Sequence, residues 1–316
     1  MLLGLLDLRI VGIGSDLASL KQIMSSGDDA RPFCSFHPET RILRDENTAD
    51  FEYLAQYMNK EYFDADKMKQ IRKTFIKDSS IQLADFLDDS LATTIANITR
   101  ERDTEDRLGR GMPPTSYSVG VGGGWNELGP PHKRRYLTYN TSSGTRSKDQ
   151  LGEIFCGIRD KLLGSLAFAR YLERVMTLQT VKFRDEIRRF RPSLDYTVAH
   201  YGGMTVTPRL DATLCFVNDQ EDDDAELWDT GDVGGFECYI EAEGEAGESA
   251  EAAEVYRSDP GDDDGNLLSV SPRNNVISLV LRDEGIMRFI KYVSCGAPGS
   301  RWDISMEYEL EKHKSD

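Results

Sequence analysis

Asn275-Val276-Ile277-Ser278-Leu279-Val280-Leu281-Arg282-Asp283 is a short aliphatic, β-branched run with a charged end. Turn clusters bound it on both sides, Pro272 to Asn275 and Asp283 to Gly285, so it reads as a strand. Runs of the same kind lie on either side of it: Tyr196 to Tyr201, Thr205 to Thr207, Ala212 to Val217, Phe236 to Ile240, Leu267 to Val270, Phe289 to Val293 and Ile304 to Tyr308. Gly202-Gly203, Asn218-Asp219, Gly234-Gly235 and Gly296 to Ser300 punctuate them. About eight short strands with such turns predict a jelly roll or sandwich.

Upstream of Arg191-Pro192 the period is helical. Phe51, Leu54 and Met58 mark a first short helix. Met68, Ile71, Phe75, Leu83, Phe86, Leu87, Leu91, Ile95 and Ile98 continue at three- and four-residue steps, which predicts a second helix capped by Asp64 or Asp66. Ser147-Lys148-Asp149-Gln150 has the form of a capping box. It should open a helix with the stripe Leu151, Ile154, Phe155, Ile158, Leu162, Leu166, Ala169, Leu172 and Val175. Between these, residues 101–131 are charged and then rich in Gly and Pro, and read as a surface loop. The glycines at 120 to 124 follow no strand and open no helix, so they make a poor phosphate cradle. His132-Lys133-Arg134-Arg135 reads as a solvated basic segment.

The 316 residues carry 38 Lys and Arg against 55 Asp and Glu, a net charge of −17. That balance disfavours binding to nucleic-acid backbones and to anionic membranes. The charge is concentrated: Asp219 to Asp264 holds 19 acids and one base, Arg257, while the rest of the chain is close to neutral. These stretches have too few apolar residues to fold alone and are expected to be mobile loops. Glu221-Asp222-Asp223-Asp224 and Asp262-Asp263-Asp264 lack the glycine and glutamate spacing of a calcium-binding EF-hand loop. Five scattered cysteines with no C-x-x-C pair suit free thiols in a reducing compartment. Met1 to Leu8 is apolar but has no basic start and no cleavage site, and no run is long enough to span a membrane.

Several blocks then resemble one family. They are Arg188-Arg189-Phe190-Arg191-Pro192, Leu210-Asp211-Ala212-Thr213-Leu214-Cys215-Phe216, Val233-Gly234-Gly235-Phe236-Glu237-Cys238-Tyr239, NVISLVLRD at 275–283, Phe289-Ile290-Lys291-Tyr292-Val293-Ser294 and Gly299-Ser300-Arg301-Trp302-Asp303. Together they resemble the C-terminal, non-catalytic domain of the ribosomal prolyl 3,4-dihydroxylases, the oxoglutarate- and iron-dependent oxygenase degradation domain. Tyr62-Phe63-Asp64 to Phe86-Leu87 resembles that family's interdomain segment.

The resemblance implies a mainly β α+β fold, a double-stranded β-helix of the jelly-roll or cupin-like kind with supporting α-helices on one sheet. It divides the chain into residues 1–50, linker or remnant of an upstream catalytic domain; 51–100, a helical linker segment; 101–146, a Gly/Pro-rich loop and basic segment; and 147–310, a helix plus the β-helix domain, with acidic loops at 219–232 and 241–265. It also implies a cytoplasmic and nuclear protein that serves as substrate-recognition or scaffold domain for hydroxylation of a small-subunit ribosomal protein, in translation termination and fidelity. Its partners would be that ribosomal protein or its assembly factors, and the family's own catalytic domain. A free-standing module regulating the stability of an oxygen-responsive transcription factor is the alternative, and an active dioxygenase with an unorthodox metal site is the less favoured one. Fe(II), 2-oxoglutarate and ascorbate belong to the family's catalytic domain, and none is expected in this chain.

Oxygenases of this fold hold iron with two imidazoles and one carboxylate. Aligning His-x-Asp on Arg209-Leu210-Asp211 keeps the acid but places Arg209 at the first histidine, and Arg288 stands near the second. A guanidinium has no lone pair to give a metal. His200-Tyr201-Gly202 offers a second alignment, with an open coordination position, yet no histidine lies between Tyr201 and Lys312, and His37, His132 and His313 fall in linker, loop and tail. His200 is expected to be a strand residue with a satisfied polar tip. Arg301 stands where the fold pairs 2-oxoglutarate; it is expected to pair with Asp303 or Asp283, or to stack on Trp302. Arg209, Arg288 and Arg301 would bind an anion or an acidic peptide if all three point into the barrel mouth.

Overall fold

The structure, a computed structural model, describes residues 31–36, 46–140, 149–199, 205, 207–221, 223–241 and 266–311. The helices come first. Helix α1 (Glu46–Leu54) is followed by α2 (Ala65–Asp78), whose Ile71 and Phe75 are buried. Asp64 caps α2 by accepting hydrogen bonds from the backbone N–H groups of Asp66 and Lys67, both at 3.0 Å. Asp64→Ala is expected to cost about 1 kcal/mol, read from the urea midpoint.

The predicted second helix does not run on to Ile98. Ser79 adopts φ 53° and ends α2, and Ser80–Leu83 forms strand β1. The helical spacing is overridden because the strand 276–282 has a free edge whose backbone groups need partners, and Ser80 to Leu83 pair with Val280 to Ile277. The third helix, α3 (Asp89–Glu105), reaches into the segment expected as loop. That segment also contains β2 (Trp125–Leu128), and the basic segment runs into β3 (Arg134–Tyr139), with Tyr136 to Tyr139 buried.

Helices α4 (Gln150–Ile158) and α5 (Leu166–Met176), joined by a π turn over Arg159–Leu163, carry the expected stripe. Asp149 is the cap, accepting from Gly152 N–H at 3.0 Å; Ser147 and Lys148 lie outside the described residues. The β region comprises β4 (Thr180–Phe190), β5 (Tyr196–Thr197), β6 (Arg209–Phe216), β7 (Glu237–Glu241), β8 (Asn266–Val270), β9 (Val276–Arg282), β10 (Ile286–Ile290) and β11 (Arg301–Leu310). A short helix, α6 (Asp224–Thr230), lies between β6 and β7.

The main sheet has the order β1-β9-β6-β11-β4-β3-β2, with β5 on β3, and the second sheet is β10-β7-β8; all pairs are antiparallel. From β6 to β11 the chain passes back and forth between the two sheets, which is the winding of a double-stranded β-helix. Trp302, Ile304, Met306 and Tyr308 of β11 pack with Phe155, Phe168 and Leu172 of the helices in one core, so the helices cover one face of the main sheet. The alternate residues Arg301, Asp303, Ser305 and Glu307 point between the sheets.

The 11-residue strand β4 has no sequence precursor in the reading above, and neither does the order found at 219–232. In place of a mobile loop there is a helix whose Trp228 is 1% exposed and donates its indole N–H to Asn218 O at 3.0 Å. Arg110 holds the segment from outside through Glu221 and Asp224, each at 2.8 Å. The other acidic stretch, from 242 to 265, lies outside the described residues, as do His37, His200 and His313. Among the described residues no helix is long and apolar enough to cross a membrane.

Candidate functional site

The interior of the barrel is polar. Strand alternation that buries Ile304 and Met306 against the helices sends Asp303 and Glu307 inward, and the same alternation on β6 sends Asp211 and Thr213 inward. Buried carboxylates need cations. Six arginines, at 184, 188, 209, 282, 288 and 301, meet five acids, at 211, 237, 303, 307 and 309, in one continuous chain of ion pairs.

The chain starts at the end where β4 finishes and β11 begins. Arg188 grips Asp303 with two hydrogen bonds, Nε at 2.7 Å and Nη2 at 3.1 Å. Arg301 donates Nε to the same carboxylate at 3.1 Å, Nη1 to Gly235 O, and Nη2 to Glu237 at 3.4 Å. Glu237 in turn accepts from Arg288 Nε and from the Tyr239 hydroxyl at 3.0 Å. Arg288 Nη2 reaches Thr213 at 2.7 Å and Ser305 at 3.0 Å, and its Nη1 lies 3.7 Å from Asp211. Arg282 bonds Asp211 Oδ1 through Nη2 at 3.2 Å, while its Nε sits 2.9 Å from Oδ2, in ion contact but off the hydrogen-bond line. Glu307 closes the run, 2.9 Å from Arg282 and 2.8 Å from Arg184.

The electrostatics follow from this enclosure. Burial alone would raise the Glu237 carboxyl, but Arg288, Arg301 and Arg188 overcome it and hold the group at about 2. Glu307 is lowered in the same way: burial pushes it up, and Arg282 and Arg184 pull it further down. At Asp211 burial wins over Arg282 and Arg288, and the carboxyl lies above its ordinary value. Tyr239→Phe removes the hydroxyl that satisfies Glu237 and is expected to cost about 1 kcal/mol in urea unfolding.

The predicted residues do not converge on one binding site. Arg288 and Arg301 share Glu237, but Arg209 stands at the opposite end of the barrel, since Glu309 pairs with Arg209 in register and Trp302 with Phe216. There Arg209 contacts Glu307 and Glu309 and lies over the Phe33 ring at 4.7 Å. The three-arginine anion site is therefore corrected: Arg301 is claimed on every nitrogen by protein acceptors, Asp303 among them. Arg189 of β4, not Arg301, stacks on Trp302, at 4.2 Å.

Iron does not fit the described residues. Both oxygens of Asp211 face guanidinium groups, and a divalent cation beside them would meet two like charges. No three His, Cys, Asp or Glu among the described residues gather as a metal requires.

The barrel end beside Arg301 is also closed. Tyr136, Phe190, Cys215, Val217, Trp228, Val233, Ile290, Val293 and Ala297 form a second apolar cluster across it. Gly234, at φ 72°, lets the chain pass against Tyr292 O where a Cβ would collide. Burial within this plug pushes the Cys215 thiol up to about 12, which keeps it protonated and unreactive.

Sequence reasoning named Asp211, Arg288 and Arg301 but missed Glu237, Arg282, Arg188 and Glu307. The available signal was the alternation of charge with Trp302, Ile304, Met306 and Tyr308 on β11, a pattern that ordinarily marks a solvated face.

The chain is 34% identical over 257 residues to prolyl 3,4-dihydroxylase OGFOD1 of Ostreococcus tauri, a match covering 81% of this chain and 48% of that protein. It thus spans about half the length of that relative. Among solved structures it resembles a Pseudomonas putida prolyl-4-hydroxylase at 14% identity and TM-score 0.43, over 77% of this chain and 99% of that one. It also resembles a Trichoplax adhaerens prolyl hydroxylase in complex with a hypoxia inducible factor oxygen degradation domain peptide fragment, at 9% identity and TM-score 0.41, over 76% and 88%. No residue role follows from structural likeness at these values. The model of the "Oxoglutarate and iron-dependent oxygenase degradation C-term" family matches residues 49–316, and the chain belongs to that family.

Proposed function

We propose that this chain is a non-catalytic scaffold and substrate-recognition domain within a 2-oxoglutarate- and Fe(II)-dependent prolyl hydroxylase protein that acts on a small-subunit ribosomal protein in the cytoplasm and nucleus. The observation that carries the reading is the filled interior. The inward positions where an oxygenase of this fold keeps metal ligands and a co-substrate cation hold arginines and acids bonded to one another. An apolar plug covers the end beside Arg301. A fixed, internally ion-paired barrel serves as a rigid support that presents its outer loops.

The test is direct. The purified chain, given Fe(II) and 2-oxoglutarate, is expected to retain only substoichiometric iron and to form no succinate, while still capturing the ribosomal protein in a pull-down. Stoichiometric iron with turnover would overturn the reading. The family's description includes the word degradation, which favours a second reading, a module controlling the stability of an oxygen-responsive transcription factor. Capture of such a factor in place of the ribosomal protein would decide for it.

A further inference from the structure

We infer that the cleft between α6 and the β8–β9 turn is a binding site for one lysine or arginine side chain presented by a basic protein partner. The cleft encloses about 240 Å³. That is below the roughly 300–1,000 Å³ of small-molecule pockets and suits a single long side chain.

Its chemistry selects the occupant. Val217, Val276 and the Trp228 indole give it an apolar wall, and the indole N–H is already spent on Asn218 O. The lining cation, Arg273, is bound to Asp229 by two hydrogen bonds, at 3.1 and 2.9 Å, so it is not offered to an anion. Two acceptors remain. Asn274 Oδ1 is buried without a hydrogen-bond partner, and Asp219 takes part in no ion pair among the described residues. Among the residues lining the cleft, the carboxylates of Asp219 and Asp229 outnumber the single guanidinium of Arg273.

A carboxylate that meets the Gln220 side chain but no cation, and an orphaned amide oxygen, beside an apolar wall match a ligand with donors only on an apolar stem. Lysine and arginine are the side chains of that description. Asp219, Asp223, Glu226 and Asp229 stand on or just before α6 beside the cleft, and such an acidic face raises the local concentration of basic partners. The cleft lies outside the barrel interior, so this inference does not rest on the non-catalytic reading.

The test uses the full chain with ¹⁵N-labelled tryptophan, whose three indoles are Trp125, Trp228 and Trp302. N-acetyl-lysine methylamide and N-acetyl-arginine methylamide are titrated against the uncharged N-acetyl-norleucine methylamide. A saturable shift of the Trp228 indole with a cationic probe, and none with norleucine, is expected. Asp219→Asn should weaken the binding about tenfold, the loss of one charge-assisted bond. Asn274→Asp, which adds a carboxylate at the orphaned acceptor, should tighten it. No Trp228 shift with either cationic probe, an equal shift with norleucine, or unchanged binding in both variants overturns the inference.

Discussion

Glu237→Gln is expected to lower the free energy of unfolding by about 3–5 kcal/mol, because it leaves buried guanidinium groups without their counter-charge. Glu237, on β7 of the second sheet, binds Arg288 of β10 in its own sheet and Arg301 of β11 in the main one. It therefore ties the second sheet to the main one. Urea unfolding measures the loss, and the double variant with Arg288→Met should recover part of it, since one unpaired cation is removed along with the acid. Full additivity of the two single losses would show that the pair is not coupled.

The same variant has a pH signature. Glu237 is held at about 2 in the folded chain, below its ordinary value of 4.5, so its contribution is fully present above the ordinary value and fades as pH falls towards 2. A shift of this size corresponds to roughly 3 kcal/mol. The stability difference between the wild type and Glu237→Gln should thus be largest above pH ~5 and shrink steadily below it. A difference that stays constant down to pH ~2.5 would assign the loss to packing instead of charge.

Trp228→Ala is expected to cost about 3–5 kcal/mol, the range for removing a fully buried aromatic side chain. Trp228 is the largest member of the plug and packs with residues from β4, β6 and β10. Removing it would open the barrel end beside Arg301 and free the Asn218 carbonyl. Amide exchange should accelerate across residues 217–235, and Trp228→Phe should lie between the wild type and the alanine variant. An unchanged urea midpoint would mean that α6 is peripheral to the fold.

The legible parts of the fold were those with local causes. The spacing of Ile71 and Phe75 after Asp64 identifies α2, and the aliphatic run from Val276 to Leu281 between two turns identifies β9. Strand β4 was hidden because its inward residues, Arg184, Glu186 and Arg188, are charged, and a strand buried through charge shows no apolar period. Trp228 was hidden by its acidic neighbours, whose charge is relieved at a distance by Arg110. The site was half legible for a similar reason. Asp211 and Arg288 are visible in sequence, but Arg282 lies 71 residues from Asp211 and Glu237 lies 51 residues from Arg288. Only the closed barrel brings them together.

Strand β1 carries a consequence for how the chain is made. Its partner residues lie 200 positions later, as in the pairing of Ser80 with Val280. At about 5–20 residues per second, β1 waits roughly 10–40 s on the ribosome before its partner exists. During that interval its four residues are an unpaired edge, kept short enough to be a poor template for other chains. The sheet edge is sealed near the end of synthesis, so a nascent chain stalled before residue 276 would display β1 without the strand that pairs with it.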